Sequence, residues 1–550
     1  MHSAIVIYLL AGFFIIWGFS FFAYFLAKKR QKKRLQALQQ EWGKPNTLGR
    51  NYELIENFSL LTTTAYFHQL TAQTITDIDL HDLFAFIDRT TSKPGQQYLF
   101  NKLIRPTDKP ADLKYYNEQV DFFSANEKSR AEAQLLLSSL GHHDAYYITN
   151  LLDNELLEKP KWSVLFVADT IVVILLLLLS IKFPVLLLWL MFPLAVNIFL
   201  YFRNKNTTAN FNKSFPQLNN LINIARLFIK KDIPFEKVST QKSIDNLKGF
   251  QRKFRLLNFS QPSNDEITQT FLFLLELLKA FFLIETHSFF SCLATVKNKK
   301  EDINTLINYI GSIDAAISTA ALRSGTVKFT TPQFTNHKKE FSAVNLYHPL
   351  IKDCIANSIT VTDKSILITG SNMSGKSTFI RTIAINSILA QTIYTCFADA
   401  FTTPFVKVFS SVRITDSLQE GKSYYFEEVN TIGSLIKAAD RPFQNLFILD
   451  EVFKGTNTIE RVAAAKAILS YLNKNNNIVF VSTHDIELAD LLKTEFDLYH
   501  FTEDIANEKL VFDHELKAGV LKTRNAIKLL ALSNYPSQII EEANTIANKN

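Results

Sequence analysis

Cysteine is nearly absent from this chain of 550 residues. Cys292, Cys354 and Cys396 are the three it has, with no paired spacing. That excludes a disulfide framework and a cysteine-based zinc site, and it fits a reducing compartment. Excess charge is also scarce: 59 Lys and Arg against 52 Asp and Glu leave +7, and six cations sit together in Lys28-Lys29-Arg30-Gln31-Lys32-Lys33-Arg34. The apolar run Ser3 to Ala27 lacks positive charge before it and small residues after it, the two marks of a cleaved signal peptide. Apolar residues, in contrast, are plentiful. They make up 47% of the chain and include 47 Phe, rich for a soluble protein and long enough in total for several domains.

The chemistry concentrates in one stretch. Gly370-Ser371-Asn372-Met373-Ser374-Gly375-Lys376-Ser377 reads G-x-x-x-x-G-K-S, between the apolar run Ser365-Ile366-Leu367-Ile368 and a helical pattern reaching about Gln391. Strand, glycine-rich turn and helix is the context a phosphate-binding loop needs. Its backbone N–H groups and the helix N-terminus form a concave, positive site, so Gly370 through Thr378 are the nucleotide-binding candidates. Lys376 is placed to reach the β- and γ-phosphates, and the Ser377 hydroxyl to hold Mg²⁺. Downstream, Leu446-Phe447-Ile448-Leu449 ends in Asp450-Glu451, an apolar strand delivering two acids at its C-terminal end. Asp450 suits the Mg²⁺ shell; Glu451 suits polarising the water that attacks the γ-phosphate. A second such strand, Ile478-Val479-Phe480-Val481-Ser482-Thr483, ends at His484, which can donate a hydrogen bond to that phosphate. The candidate catalytic groups are therefore Glu451, His484 and Lys376, with Ser377 and Asp450 as metal ligands, ATP as substrate and Mg²⁺ as cofactor. Gly455-Thr456-Asn457-Thr458 forms a turn past the acids that could meet a partner subunit.

Taken in order, these pieces resemble the MutS family, whose ATPase belongs to the ABC class. The resemblance is carried by His348-Pro349-Leu350, by Asn372-Met373 inside the loop, and by Arg413-Ile414 leading to Asp416-Ser417-Leu418. It continues through Gly421-Lys422-Ser423 with Glu428, the Asp450-Glu451 pair, and Ser482-Thr483-His484. Phe512, Leu516, Gly519, Ala526, Pro536 and Ala543 fit its C-terminal elements. Upstream, Leu83 to Thr91 with Gly95, Leu99, Leu103 and Pro106 is similar to the start of the family's helical core, and Ile313-Asp314-Ala315-Ala316 to the end of its lever helices. The resemblance implies a homodimer with ATP between facing domains, where Gly421, Ser423 and Glu428 act in trans on nucleotide held by the other copy. Tyr424-Tyr425-Phe426 and Glu427 depart from the family's pattern there, as do Ser371 and Ser374 in the loop.

Two further apolar features predict a membrane location. Residues 1–27 are long enough, at ~1.5 Å per residue, to span a ~30 Å hydrocarbon core. Trp162 to Phe202 reads as two crossings joined at Ser180-Ile181-Lys182-Phe183-Pro184. The basic flanks Lys28–Arg34, Lys159, Lys161, Arg203 and Lys205 give both segments the same topology, with the remainder cytoplasmic. Membrane lipid becomes a partner of the basic flank, and a bacterial-type inner membrane the location.

The predicted fold is an α/β P-loop NTPase domain of ABC/MutS type at 333–550, plus an all-α core and lever at 77–160 and 204–332. A transmembrane anchor at 1–27, a basic linker at 28–76 and a transmembrane hairpin at 161–203 complete it. Between Leu35 and Asp77 there is no room for the family's mismatch-sensing domain and no Phe-x-Glu. DNA therefore remains a possible partner, with mismatch recognition not expected. The alternatives are an ATPase switch acting on a protein partner and an ABC-transporter-like ATPase. Against the latter, the L-S-G-G-Q signature is absent.

Overall fold

A computed structural model describes residues 2–46, 49–61, 65–153, 164–208, 211–231, 233, 235–257, 281–326, 328–337, 339–371, 373–413, 424–453, 457–506, 509–521 and 535–547. Asn372, Gly421, Ser423, Gly455 and Thr456 lie outside them. The chain divides into two compact units. One comprises residues 1–64, 88–101 and 119–325; the other, residues 65–87, 102–118 and 326–550.

The first unit is helical. Its longest interior element is the helix Lys300–Gly325, which buries Ile303, Leu306, Ile307, Ile310, Ile313 and Ile317 at helical spacing. Close approach to residues 93–101 is possible because two small residues meet it. A Cβ on Gly95 would lie 2.1 Å from Asp314 Oδ2, and one on Gly311 would lie 2.5 Å from Tyr98 Cβ. Asp314, with no exposed surface, accepts from Thr91 N (3.0 Å) and Ser92 N (2.7 Å) and also from the Ser92 hydroxyl. Burial raises its carboxyl to about 6 against those donors. Beside it, buried Asp88 pairs with Arg50 at 3.0 Å and accepts from Gln96 Nε2 at 2.6 Å.

Among the described residues, no helix is long and apolar enough to cross a membrane. This overturns the three expected transmembrane helices and the membrane location they implied, and it leaves the lipid partner without support. In the 161–203 block, the helix Val164–Ser180 is described over 17 residues. The next helix, Leu186–Thr208, contains Pro193. It also buries Asn197, which donates to Phe281 O at 2.8 Å and hydrogen-bonds Asp169. Phe166 stacks on Phe290, so part of this block packs on the helix Ile284–Asn298 as core. In the 1–27 run, which lies within the helix His2–Gln40, the side chains of 2–16 are outside the described residues.

The second unit is α/β. Its main sheet contains β4 (Ser365–Thr369), β6 (Lys407–Ser411), β7 (Asn445–Asp450), β8 (Ile478–Thr483), β9 (Phe496–Ala506) and β10 (Lys509–Ala518). The order is β10-β9-β4-β8-β7-β6, antiparallel only between β9 and β10. β4 and β8 are buried along their whole length, which explains their unbroken apolar runs. A smaller sheet of order β1-β5-β2-β3 is formed by β1 (Gln333–Phe334), β2 (Phe341–Leu346), β3 (Asn357–Val361) and β5 (Ala400–Thr403). Residues 65–87 join this unit through Asp77, which is fully buried and accepts from Ser410 Oγ (2.6 Å), Val412 N (3.0 Å) and Arg413 N (2.7 Å).

Candidate functional site

The register of the main sheet assembles the site. Thr369 pairs with Thr483, and Asp450 with Ser482, so β4, β7 and β8 end level with one another. Residues at their C-terminal ends therefore share one edge, where ligands of open α/β sheets bind. From β4 the chain enters the loop with Gly370 at φ +151° and Gly375 at φ +115°. Both are left-handed conformations that an L side chain rarely adopts. A Cβ on Gly370 would also come within 2.9 Å of Phe501 O. The helix Lys376–Ala390 then begins, its N-terminus aimed at the loop's concavity.

The polar groups form two linked sets. Lys376, only 4% exposed, donates through Nζ to Gly370 O and Ser371 O, each at 2.7 Å. Ser377 Oγ donates to Asp450 Oδ2 at 2.6 Å, and the Ser482 hydroxyl donates to Asp450 Oδ1. Glu451 follows with φ +56°, a strained backbone for a residue with a side chain, and its N–H is held by Ser482 O at 2.9 Å. Its carboxylate meets His484 Nδ1 at 3.1 Å. His484 is in turn 3.8 Å from Asp485, which Arg461 grips through two bonds of 2.8 and 3.0 Å.

A cavity of ≈ 500 Å³ opens over the loop, within the usual range for small-molecule sites. Met373, Gly375, Lys376, Ser377, Thr378 and Glu451 line it on the phosphate-loop side. His348, Ile351, Cys354 and Ile355 form a less polar wall. Burial, with Arg381 nearby, pushes the His348 ring down to about 4, so it is neutral at pH 7. The Ser371 hydroxyl is buried with no hydrogen-bond partner among the described residues. A buried orphan donor beside a lysine turned onto loop carbonyls is the arrangement expected where an anion would supply the missing acceptor. The donor set thus fits Mg²⁺ and a triphosphate.

Glu428 sits elsewhere: it is 1% exposed, and its Oε1 accepts from Phe453 N at 2.6 Å inside its own chain. Sequence reasoning missed His514, which lines the cavity with Nδ1 3.0 Å from Ser374 O. It lies on β10 in the irregular stretch between Phe512 and Leu516, where pairing with β9 is interrupted and His514 takes φ +54°, and nothing local to it in the sequence signals that position.

Residues 366–549 match the family description "MutS domain V", a span that begins inside β4 and contains the loop, the acid pair, His484 and the hairpin. A DNA mismatch repair protein MutS from Pseudothermotoga lettingae is 32% identical over 270 residues, 46% of this chain and 33% of that protein. Proteins of the same name from Lactobacillus gasseri and Petrotoga mobilis are 31% and 28% identical, covering 46% and 57% of this chain and 30% and 39% of those proteins. The chain is similar to MutS proteins, and residues 366–549 match MutS domain V. It spans about a third of the length of the curated MutS relatives it matches. The MutS domain V match covers the residues that position Lys376, Asp450 and Glu451 on one edge.

Proposed function

We propose that this chain binds Mg²⁺ and ATP at the edge formed by β4, β7 and β8, and hydrolyses the γ-phosphate as a switch. The supporting observation is that Lys376, Ser377 and Glu451 line one cavity while Asp450 is bound to the Ser377 hydroxyl. Lys376 exchanges the carbonyls of Gly370 and Ser371 for phosphate oxygens, and Ser371 finds an acceptor. Ser377 and Asp450 would hold Mg²⁺, which would supply charge neutralisation at the phosphate oxygens. Glu451 takes the proton of the attacking water as its oxygen bonds to the γ-phosphorus and the bond to the β–γ bridging oxygen breaks, releasing ADP and phosphate, and His484 orients that carboxylate through the 3.1 Å contact. Gly421 and Ser423 complete the site from a second copy, so turnover depends on a homodimer, and DNA is the macromolecular partner suggested by the relatives' names.

Steady-state ATP hydrolysis as a function of protein concentration tests the reading. Turnover per chain is expected to rise with concentration to a plateau and to be stimulated by DNA. Ser423→Ala is expected to lower it, with partial recovery on mixing with Lys376→Ala chains. A monomer inert towards saturating nucleotide would overturn the assignment.

A further inference from the structure

The N-terminal ends of β6 and β7 lie at the edge of the sheet opposite the phosphate loop. There Lys407 and Asn445 begin the two strands, and a second cleft of ≈ 370 Å³ is lined by Tyr66, Phe67, His68, Phe409, Lys407 and Arg441 among others. All belong to the α/β unit.

Its charge is unbalanced. Lys407 and Arg441 face the same space, and among the described residues neither forms an ion pair with a carboxylate. Burial and then the neighbouring Arg441 push the Lys407 ammonium down, and Asp108 offsets this only through space. Two cations that repel each other at the mouth of a cleft are relieved by an anion. An ordinary solvated lysine would extend into water. Lys407 instead folds against rings, 3.7 Å from the Phe443 centroid and 5.0 Å from that of Phe67. Those two rings meet edge to face at 6.0 Å, which fixes the ammonium's position.

The cleft also offers flat apolar surface and an acceptor. Tyr66 stands at its lip, 54% exposed. His68 Nε2 lies 2.9 Å from Val408 O, a carbonyl that can only accept, so the proton resides on Nε2. Burial holds the ring neutral, with its pKa at about 4, and Nδ1 is left as an acceptor. Paired cations, an exposed ring and a neutral acceptor together match a phosphate joined to a flat base bearing N–H donors.

We propose that this cleft binds a nucleobase-bearing phosphate, Lys407 and Arg441 pairing the phosphate and Tyr66 stacking on the base. The unit recognised is the same whether it arrives as a free mononucleotide or as an unstacked base within a single strand. Because the cleft and the phosphate loop occupy opposite ends of the strands, the cleft remains open when the loop holds ATP.

The test uses the full chain saturated with a non-hydrolysable ATP analogue, so that the first site is filled. Binding of a short fluorescein-labelled oligothymidylate is followed by anisotropy, with unlabelled thymidine monophosphate as competitor. Lys407→Met, which keeps the apolar stem against Phe67 and Phe443, and Arg441→Gln should each weaken binding about tenfold. Each should also reduce the logarithmic salt slope by about 1. Tyr66→Leu should weaken it by roughly 5- to 100-fold, the range of a lost base–aromatic stack. Lys407→Arg should restore most of the affinity. Melting temperature and DNA-free ATP turnover should not change in any of these variants. Displacement by the monophosphate identifies a free nucleotide as the ligand; lysine-dependent binding that the monophosphate does not displace identifies a strand. No binding to the unmodified chain, or equal affinity in Lys407→Met and Arg441→Gln, would overturn the proposal. Failure of the ATPase reading shows separately, as absence of turnover in the unmodified chain.

Discussion

In the α/β unit, Asp450 takes its hydrogen bonds from two side-chain hydroxyls, Ser377 and Ser482. In the helical unit, Asp314 is held by the backbone N–H groups of Thr91 and Ser92 as well as the Ser92 hydroxyl. Hydroxyls rotate, so the donors to Asp450 can turn away from it without moving the chain. Backbone donors cannot turn away, so Asp314 is committed to joining one helix to the start of another. Two aspartates of the same chain thus differ in what their donors permit: one is poised for exchange, the other is a fixed structural joint.

The comparison can be broken most decisively at the exchangeable site. Glu451→Ala should retain nucleotide binding and lose turnover by roughly 10²- to 10⁴-fold, the usual size of a general-base effect. Single-turnover hydrolysis with a parallel binding titration reads this, and retained turnover would remove Glu451 from its role. Lys376→Ala should weaken ATP binding about 10- to 100-fold, in line with about 1.5–3 kcal/mol for a hydrogen bond to a charged group. Equilibrium titration of a fluorescent ATP analogue measures it.

At the fixed joint, the expected changes concern stability. Gly95→Ala puts a methyl where Asp314 Oδ2 lies 2.1 Å away, so it should cost about 1–3 kcal/mol in denaturant unfolding, the usual cost of overpacking. Nucleotide affinity should be unaltered. The smallest effect is a pH slope. The Asp314 carboxyl is raised from 3.8 to about 6 in the folded chain, so the fold binds this proton more tightly than the unfolded chain does. The stability this contributes is present in full below about pH 4 and is lost as pH rises through about 6. Unfolding midpoints of the unmodified chain should therefore fall relative to Asp314→Asn across that window. Parallel curves would show that Asp314 does not titrate there.

Much of the site was legible in the sequence because its parts are local. A strand, a glycine-rich turn and a helix N-terminus follow one another within residues 365–390, and apolar runs ending in Asp450-Glu451 and His484 announce buried parallel strands. The glycine positions also carry their own explanation, since Gly370 and Gly375 adopt left-handed backbone angles. His514 was not legible, because its place beside Ser374 depends on the bulge in β10 between Phe512 and Leu516. The resemblance implies that Glu428 acts in trans, and in the structure its Oε1 accepts from Phe453 N of its own chain. The apolar block at 161–203 misled for a related reason. Hydropathy along the chain does not single out Phe166 and Asn197, which are buried contacts of the helical unit, from Ile171, Leu188, Trp189 and Phe192, which are exposed.

By itself the sequence determined the order of the candidate phosphate-loop, acid-pair and His484 segments and their likeness to MutS domain V. These are properties of short contiguous segments, where backbone conformation and side-chain chemistry are set by near neighbours. Only the tertiary structure decided that Asp77 closes onto the end of β6, that Asp314 is a buried joint, and that Lys407 and Arg441 share a cleft with Tyr66. Each of these joins residues far apart in the chain, and such partners are chosen by packing and burial, which no local pattern encodes.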